Sequence, residues 1–470
     1  LIFEGFTLNH SLLNRAGSIT AARLSVIAFV LIAMVGEFAT SANAQRRGPS
    51  LVRDAEIEAL VKDYARPLMK AAGLRQGSVA FYIVNDPSFN AFVSGRGMFI
   101  NTGLLLQAET PGEVIGVVAH ELGHIVGAHQ VKLRQRIDAA QRIARIQTLL
   151  GLGIGAAGAA SGNSEVAAAG LGVAAGGPST GLRSILKYRR SEESAADSTA
   201  VRLLNRTKQS GKGMLTTFER LGKQLGGISR RVDPYLQSHP LPRERILNLG
   251  NAIRKSRYFK SQSPANLRLR HDMVRAKIAA YTNGGRYARA LLAGKKLAPS
   301  ARLYGRAITT HLYGSPRKAI PLIDRLIKSQ PRNAYAHEMR GEIYLRSGKA
   351  KQAASAFRKA VKLDRYGAGF IRVQLGHALV QTGNKKNMKE AVNVINKGLT
   401  RDPTAIAGYR YLGMAYNELG QPARALLASA QLASKTGRKQ QAKAYALRVQ
   451  KAFKRGSPQW LRAQDILDQR

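Results

Sequence analysis

Val114-Ile115-Gly116-Val117-Val118-Ala119-His120-Glu121-Leu122-Gly123-His124 begins apolar and ends in two histidines four residues apart. A four-residue spacing puts both imidazoles on one face of a helix, close enough to grip a single cation. Neutral imidazole nitrogen suits zinc, and Glu121, beside the first histidine, can reach a water at the metal. Upstream, Thr110-Pro111-Gly112-Glu113 opens the helix, with Thr110 at the N-cap and Pro111 in the first turn. The five-residue pattern alone also fits a solvated helix. The apolar run before it predicts a buried element instead, and two histidines and a glutamate buried together require a compensating charge.

A third ligand is available in Glu193-Ser194-Ala195-Ala196-Asp197. Glu193 and Asp197 share a helix face, so one carboxylate can bind metal while the other orients a ligand histidine. A metalloprotease pattern with a third histidine six positions beyond the second would need one at residue 130, which is Gln130. His129 is one place short, so helical geometry turns it elsewhere, and it reads as a structural or surface histidine.

Around this motif, Val52 to Ala72 reads as an amphipathic helix, and short β-rich runs follow at Val79 to Val84, Ala91 to Val93 and Met98 to Ile100. The last of these is expected to be an edge strand able to pair with an extended substrate. Residues 151–181 are so rich in glycine and alanine that a poorly stabilised helix is expected. They read as a lid or loop near the site, with an interfacial membrane segment as the second option. Helical patterning resumes from Ile185 to about Arg254, and a basic polar linker is expected over 256–270.

Residues 271–455 repeat. Gly341, Gly376 and Gly413 recur with Gly348, Gly383 and Gly420 seven residues on, and Ala319 and Ala391 are each followed by a proline, Pro331 and Pro403. The period of about 34 to 37 residues, two helices per unit, looks like tetratricopeptide repeats, whose stacking builds a concave groove. Extra residues around Lys385 to Lys389 predict a longer loop between the helices of one repeat. Residues 456–470 are expected to form a tail. The fold class expected is thus an α+β zincin-like metalloprotease domain over 45–255, mostly helical with a small sheet, followed by an all-α tetratricopeptide-repeat solenoid.

Composition bounds the rest. The 470 residues lack cysteine, which excludes disulfides and thiol catalysis, and 74 basic against 28 acidic residues give a net charge of +46. Such a surface is drawn to anionic membranes, but no nucleic-acid-reading module accompanies it. Arg15 and Arg23 precede an apolar run, Leu24 to Val35, and Ala42-Asn43-Ala44 offers a cleavage site before Gln45. Residues 1–44 therefore read as a secretory signal peptide, which implies export to a periplasm. The absence of methionine before Met34 points to a start upstream of Leu1.

The chain resembles the zinc metalloprotease family that includes HtpX, the CAAX prenyl endopeptidase and BepA. Asn101-Thr102-Gly103-Leu104-Leu105, Ala119 to His124, Tyr188, Arg190, Glu193 to Asp197 and Ser238-His239-Pro240 carry the resemblance. The repeats match the BepA-like branch. The resemblance implies one zinc held by His120, His124 and Glu193, with Glu121 catalytic and Asp197 behind the ligands. Arg189 stands where the family usually has serine. His239 matches a family histidine near the metal, expected either to cap the open ligand position or to stabilise the oxyanion, and Arg245 is a weaker oxyanion candidate. The family further implies misfolded or stalled envelope proteins as substrates and docking of the repeats at an outer-membrane assembly machine. The competing expectation is a repeat scaffold whose metal site is latent.

Overall fold

The computed structural model describes residues 50–225, 239–240, 242–282 and 285–469. The signal-peptide reading, and Ser238 of the histidine-proline motif, lie outside the described residues.

Four strands form one small mixed sheet: β1 (Leu51–Val52), β2 (Ala80–Val84), β3 (Ala91–Ser94) and β4 (Gly97–Asn101), in the order β1-β2-β4-β3. β2 and β4 run parallel, with Tyr82 opposite Phe99, and β3 runs antiparallel to β4, with Phe92 opposite Phe99. Alternation sends Ile83, Val93, Met98 and Ile100 into the core, while Tyr82, Phe99 and Phe92 stack on the other face. Met98 to Ile100 is therefore an inner strand rather than an edge. The crossover from β2 through β3 to β4 inserts β4 between them, and β3 takes the edge.

Against the sheet lie α1 (Ala55–Ala71), the short α2 (Thr102–Gln107) and α3 (Pro111–Val126). Thr110 is the N-cap of α3, and the Glu113 carboxylate accepts from the Thr110 backbone N–H at 3.2 Å. α3 is buried from Val114 through Gly123. Such a helix needs partners on all sides, and α5 (Ser164–Arg206) and α6 (Lys212–Leu225) supply two of them.

Residues 151–181 are helical, not a loop. α4 (His129–Ala160) and α5 form a hairpin turned at 161–163. A Cβ built on Gly151, Gly158 or Gly170 would fall within 2.6 Å of the opposite helix's backbone. The glycines that weaken each helix alone let the two backbones touch, and that packing outweighs their poor propensity.

After α7 (Arg243–Arg254), non-helical chain runs only to Pro264, because α8 (Ala265–Tyr281) starts there, so the expected linker is shorter than 256–270. Eleven more helices follow among the described residues, and from α10 on each packs against the next: α9 (Gly285–Ala293), α10 (Pro299–Tyr313), α11 (Pro316–Ser329), α12 (Ala334–Arg346), α13 (Ala350–Leu363), α14 (Gly369–Val380), α15 (Lys385–Arg401), α16 (Ala407–Glu418), α17 (Pro422–Lys435), α18 (Lys439–Ala452) and α19 (Pro458–Leu467). The recurring glycines have two jobs. Gly341 and Gly376 lie where a Cβ would strike Phe357 and Ile395 of the paired helix, whereas Gly348, Gly383 and Gly420 take φ of +71°, +65° and +68° in the turns. The extra residues near Lys385 lengthen α15 to 17 residues against 14 for α13, so they extend a helix rather than its loop. The expected tail is also helical: Ala463 and Ile466 of α19 close the last core cluster with Ala446 and Val449.

Candidate metal centre

Gly123 sets the distance between the two elements that carry the site. A Cβ there would lie 2.7 Å from the Ala196 carbonyl oxygen, so only glycine lets α3 and α5 approach this closely. His120 and His124 on α3 thereby face Glu193 and Asp197 on α5, and His239, four residues before α7, closes the cluster. One donor atom each from His120, His124, Glu193 and His239 lies within 4.8 Å of every other.

The distances are those of a ligand set. His120 Nε2 is 3.0 Å from His124 Nε2, and each is 3.4 Å from a Glu193 carboxylate oxygen. His239 Nδ1 is 3.3 Å from His120 Nε2 and 3.1 Å from Glu193. Ligands about 2.0–2.1 Å from a tetrahedral zinc stand about 3.3 Å apart, so these residues fit that ion. The other ring nitrogens are also held. His120 Nδ1 meets Asp197 Oδ1 at 2.9 Å, and Arg245 grips Asp197 through Nε at 2.5 Å and Nη2 at 3.0 Å while its Nη1 reaches Glu193 at 2.8 Å. His124 Nδ1 meets His129 Nδ1 at 2.9 Å, and His129 Nε2 meets Glu192 at 2.8 Å.

Burial opposes charge throughout, yet the cluster retains it. Desolvation works against a charged His120, but the carboxylates of Asp197 and Glu193 outweigh it and hold its pKa at about 9. His124 falls to about 2, pulled down by burial and by the charge on His120. Despite burial, Glu193 and Asp197 stay below the ordinary carboxylate range because His120 and His239 bond the first, and Arg245 and His120 the second. The carboxylates thus favour positive charge where the donor set calls for a cation. Burial pushes Glu121 up, and its Oε1 makes no hydrogen bond among the described residues, with His239 Nε2 at 3.4 Å.

The structure thus brings together His120, Glu121, His124, Glu193, Asp197, His239 and Arg245. Arg245, expected as a weaker oxyanion candidate, donates to Asp197 and the Pro240 carbonyl and pairs with Glu193. One expectation changes. His129 backs His124 rather than facing away, because Ala128 takes a left-handed conformation (φ 53°) and breaks the helix whose periodicity had been extrapolated. Gly127-Ala128-His129 was the available signal, a helix stop before the histidine.

Residues 52–253 match the family described as Peptidase family M48, and residues 314–368 match a tetratricopeptide repeat. The beta-barrel assembly-enhancing protease of Escherichia coli K12 is 24% identical over 434 residues, covering 90% of this chain and 85% of the relative. The protein of that name from Yersinia pestis is 22% identical over 400 residues, covering 84% and 80%. Among solved structures, the crystal structure of MamA is 19% identical over 34% of this chain and 94% of its own, at a TM-score of 0.27. The chain carries a peptidase M48 domain followed by a tetratricopeptide-repeat region.

Proposed function

We propose that this peptidase-domain and repeat chain is an exported, periplasmic zinc endopeptidase that cleaves misfolded or stalled envelope proteins, with Glu121 as its general base. The observation that carries the reading is the convergence of His120 Nε2, His124 Nε2 and the Glu193 carboxylate within 3.0–3.4 Å, beside a buried glutamate with an unbonded oxygen.

A zinc ion held by His120, His124 and Glu193 supplies Lewis acidity, polarising the scissile carbonyl and acidifying a water. Glu121, its pKa raised by burial, takes a proton from the attacking water and delivers it to the departing amine. Asp197 and His129 hold the ligand rings in orientation from behind. An extended substrate has β3 as its pairing edge, with Gln130 accepting from the Gly95 backbone N–H and donating to the Val93 carbonyl at one end.

His239 supports a latent resting state. Its Nδ1 lies among the ligand atoms, in the place a substrate needs, so turnover requires it to move aside. The relatives' name, beta-barrel assembly-enhancing protease, supports a role in β-barrel assembly, with the repeats docking the partner.

Metal analysis of the purified chain, paired with casein hydrolysis with and without chelator, tests the enzyme reading. Glu121→Gln should keep zinc and lose activity by about 100-fold or more. Full activity in that variant, or a zinc-loaded chain inert toward every polypeptide offered, would leave only the docking scaffold.

A further inference from the structure

The α4–α5 hairpin is an outlier on this molecule. Leu149, Leu150, Leu152, Ile154, Val166, Leu171 and Val173 are all exposed on it. α4 is long and apolar enough to cross a membrane, and only 17% of its most apolar 18-residue window is buried. From Ile146 to Leu182 the sequence contains a single ionisable residue, Glu165, in a chain otherwise dense with charge. The side chains also divide by environment. Gly151, Gly155 and Gly158 face the partner helix, while the leucines and isoleucine occupy the sides that face away from it. Glycine inside and leucine outside is how two helices pack where the surroundings, not the interior, are oily.

Charge changes abruptly at the base of the hairpin. Arg134, Arg142, Arg145 and Lys187 are exposed there, and Arg136 lies over the Tyr188 ring at 4.8 Å. From Ile146 to Ala160 an α-helix rises about 22 Å. This falls short of a typical hydrocarbon core of about 30 Å but suits a thin bilayer. The turn Ser161-Gly162-Asn163-Ser164-Glu165 is polar and must stay hydrated.

We propose that this hairpin inserts into a phospholipid bilayer with anionic headgroups. The leucine-bearing arms cross the hydrocarbon, the basic collar sits among the near headgroups and the polar turn seeks the far ones. Since α4 starts at His129 and α5 carries Glu193, insertion holds the metal centre just outside the near headgroups, about 8 Å above the outermost collar residue, Arg134, and about 24 Å above the innermost, Arg145, by helical rise. The inference does not depend on the protein being a protease.

The chain has no cysteine, so one can be placed at will. Gly153 sits midway along the arm with open space where a side chain would go. The full chain carrying Gly153→Cys, labelled with an environment-sensitive fluorophore, is mixed with vesicles of equimolar phosphatidylglycerol and phosphatidylethanolamine. Insertion predicts a blue shift and quenching by acyl-chain nitroxides, both persisting in high salt. Replacing Leu149, Leu150 and Leu152 together by serine should weaken partitioning by more than about tenfold, as expected when buried apolar area drives it. The triple variant should keep its zinc content and helical circular dichroism. Three results overturn the proposal: a label that stays water-exposed while the chain floats with vesicles, binding that high salt abolishes, or a blue shift that grows with protein concentration without lipid. The last would assign the apolar arms to a second copy of the chain.

Discussion

Gly123→Ala tests whether the spacing of two helices, rather than the ligands alone, makes the metal centre. The new Cβ would fall 2.7 Å from the Ala196 carbonyl oxygen and 2.9 Å from its Cα, where ordinary contact starts near 3.4 Å. Both are backbone atoms and cannot rotate away, so α5 must retreat by roughly 0.7 Å or the contact stays strained. Glu193 lies one turn before Ala196 and Asp197 just after it, so the retreat carries both carboxylates away from the histidines. Metal sites tolerate ligand displacements of about 0.2 Å. Zinc affinity should fall by about tenfold or more, stability by about 1–3 kcal/mol, and casein hydrolysis at saturating zinc by up to about 100-fold. A chelator competition titration, urea unfolding and the casein assay read the three effects. Gly112→Ala is the control, since a Cβ there meets its nearest atom at an ordinary 3.8 Å. If Gly123→Ala matches the unmodified chain in all three, helix spacing does not control the site.

Arg245→Gln should cost about 3–5 kcal/mol of stability, because it leaves Asp197 and Glu193 buried without their guanidinium, and it should lower zinc affinity as well. Reduced turnover with zinc binding and stability intact would support an oxyanion role. His129→Ala removes the partner of His124 Nδ1 and should weaken zinc by about 10–100-fold in the same titration, and an unchanged affinity would return His129 to a bystander. His271 offers a pH test away from the metal. Burial holds its pKa near 3, with Nε2 bonding the Ala108 carbonyl at 3.0 Å and Tyr64 OH bonding Nδ1 at 2.8 Å. A depressed histidine contributes stability that is present above its unfolded pKa near 6.5 and is lost as pH falls toward 3. Between pH 7.5 and pH 5 the loss should be about 2 kcal/mol, and His271→Gln should flatten that slope by about one proton in urea titrations. An unaltered slope would place the proton uptake elsewhere.

Much of this was legible because the signals were local. Two histidines four apart on an apolar helix define a face, and paired glycines seven apart define a turn and a close approach, without knowledge of the rest of the chain. What was missed needed distant partners. Residues 151–181 look unfit for helix one residue at a time, and only Gly170 against Gly151 and Gly155 makes them fit. His129 was misdirected by one left-handed residue, Ala128, where helical periodicity stops. Arg245 lies 48 positions from Asp197, and spacing could not show that the guanidinium and carboxylates face one another. The three extra residues near Lys385 could enter a loop or a helix, and sequence offset is the same either way.

The acidic residues indicate how the two regions work together. With only 28 acidic residues against 74 basic ones, acids are scarce, yet among the described residues they gather at two largely buried places. One is the metal centre. The other joins α1 to the repeats: Lys277 of α8 meets Asp54 at 2.6 Å and Glu56 at 3.2 Å, Arg270 meets Asp63 at 2.5 Å, and Arg53 meets Asp402 at 2.6 Å. Val274 and Ile278 of α8 complete the same core as Val114 and Val117 of α3. α8 is thus part of the peptidase domain's interior. Ending the chain near residue 255 would strip apolar cover from that core and leave Glu56 buried or half-buried without Lys277, a combination that costs several kcal/mol. Loss of activity on repeat deletion would therefore report unfolding before it reported lost docking. Docking is better separated by substitutions on the exposed faces of α16 to α19, which lie far along the solenoid from α1 apart from the Arg53–Asp402 contact. Such variants should retain casein hydrolysis while losing the partner, and loss of both would mean that the far repeats also support the catalytic core.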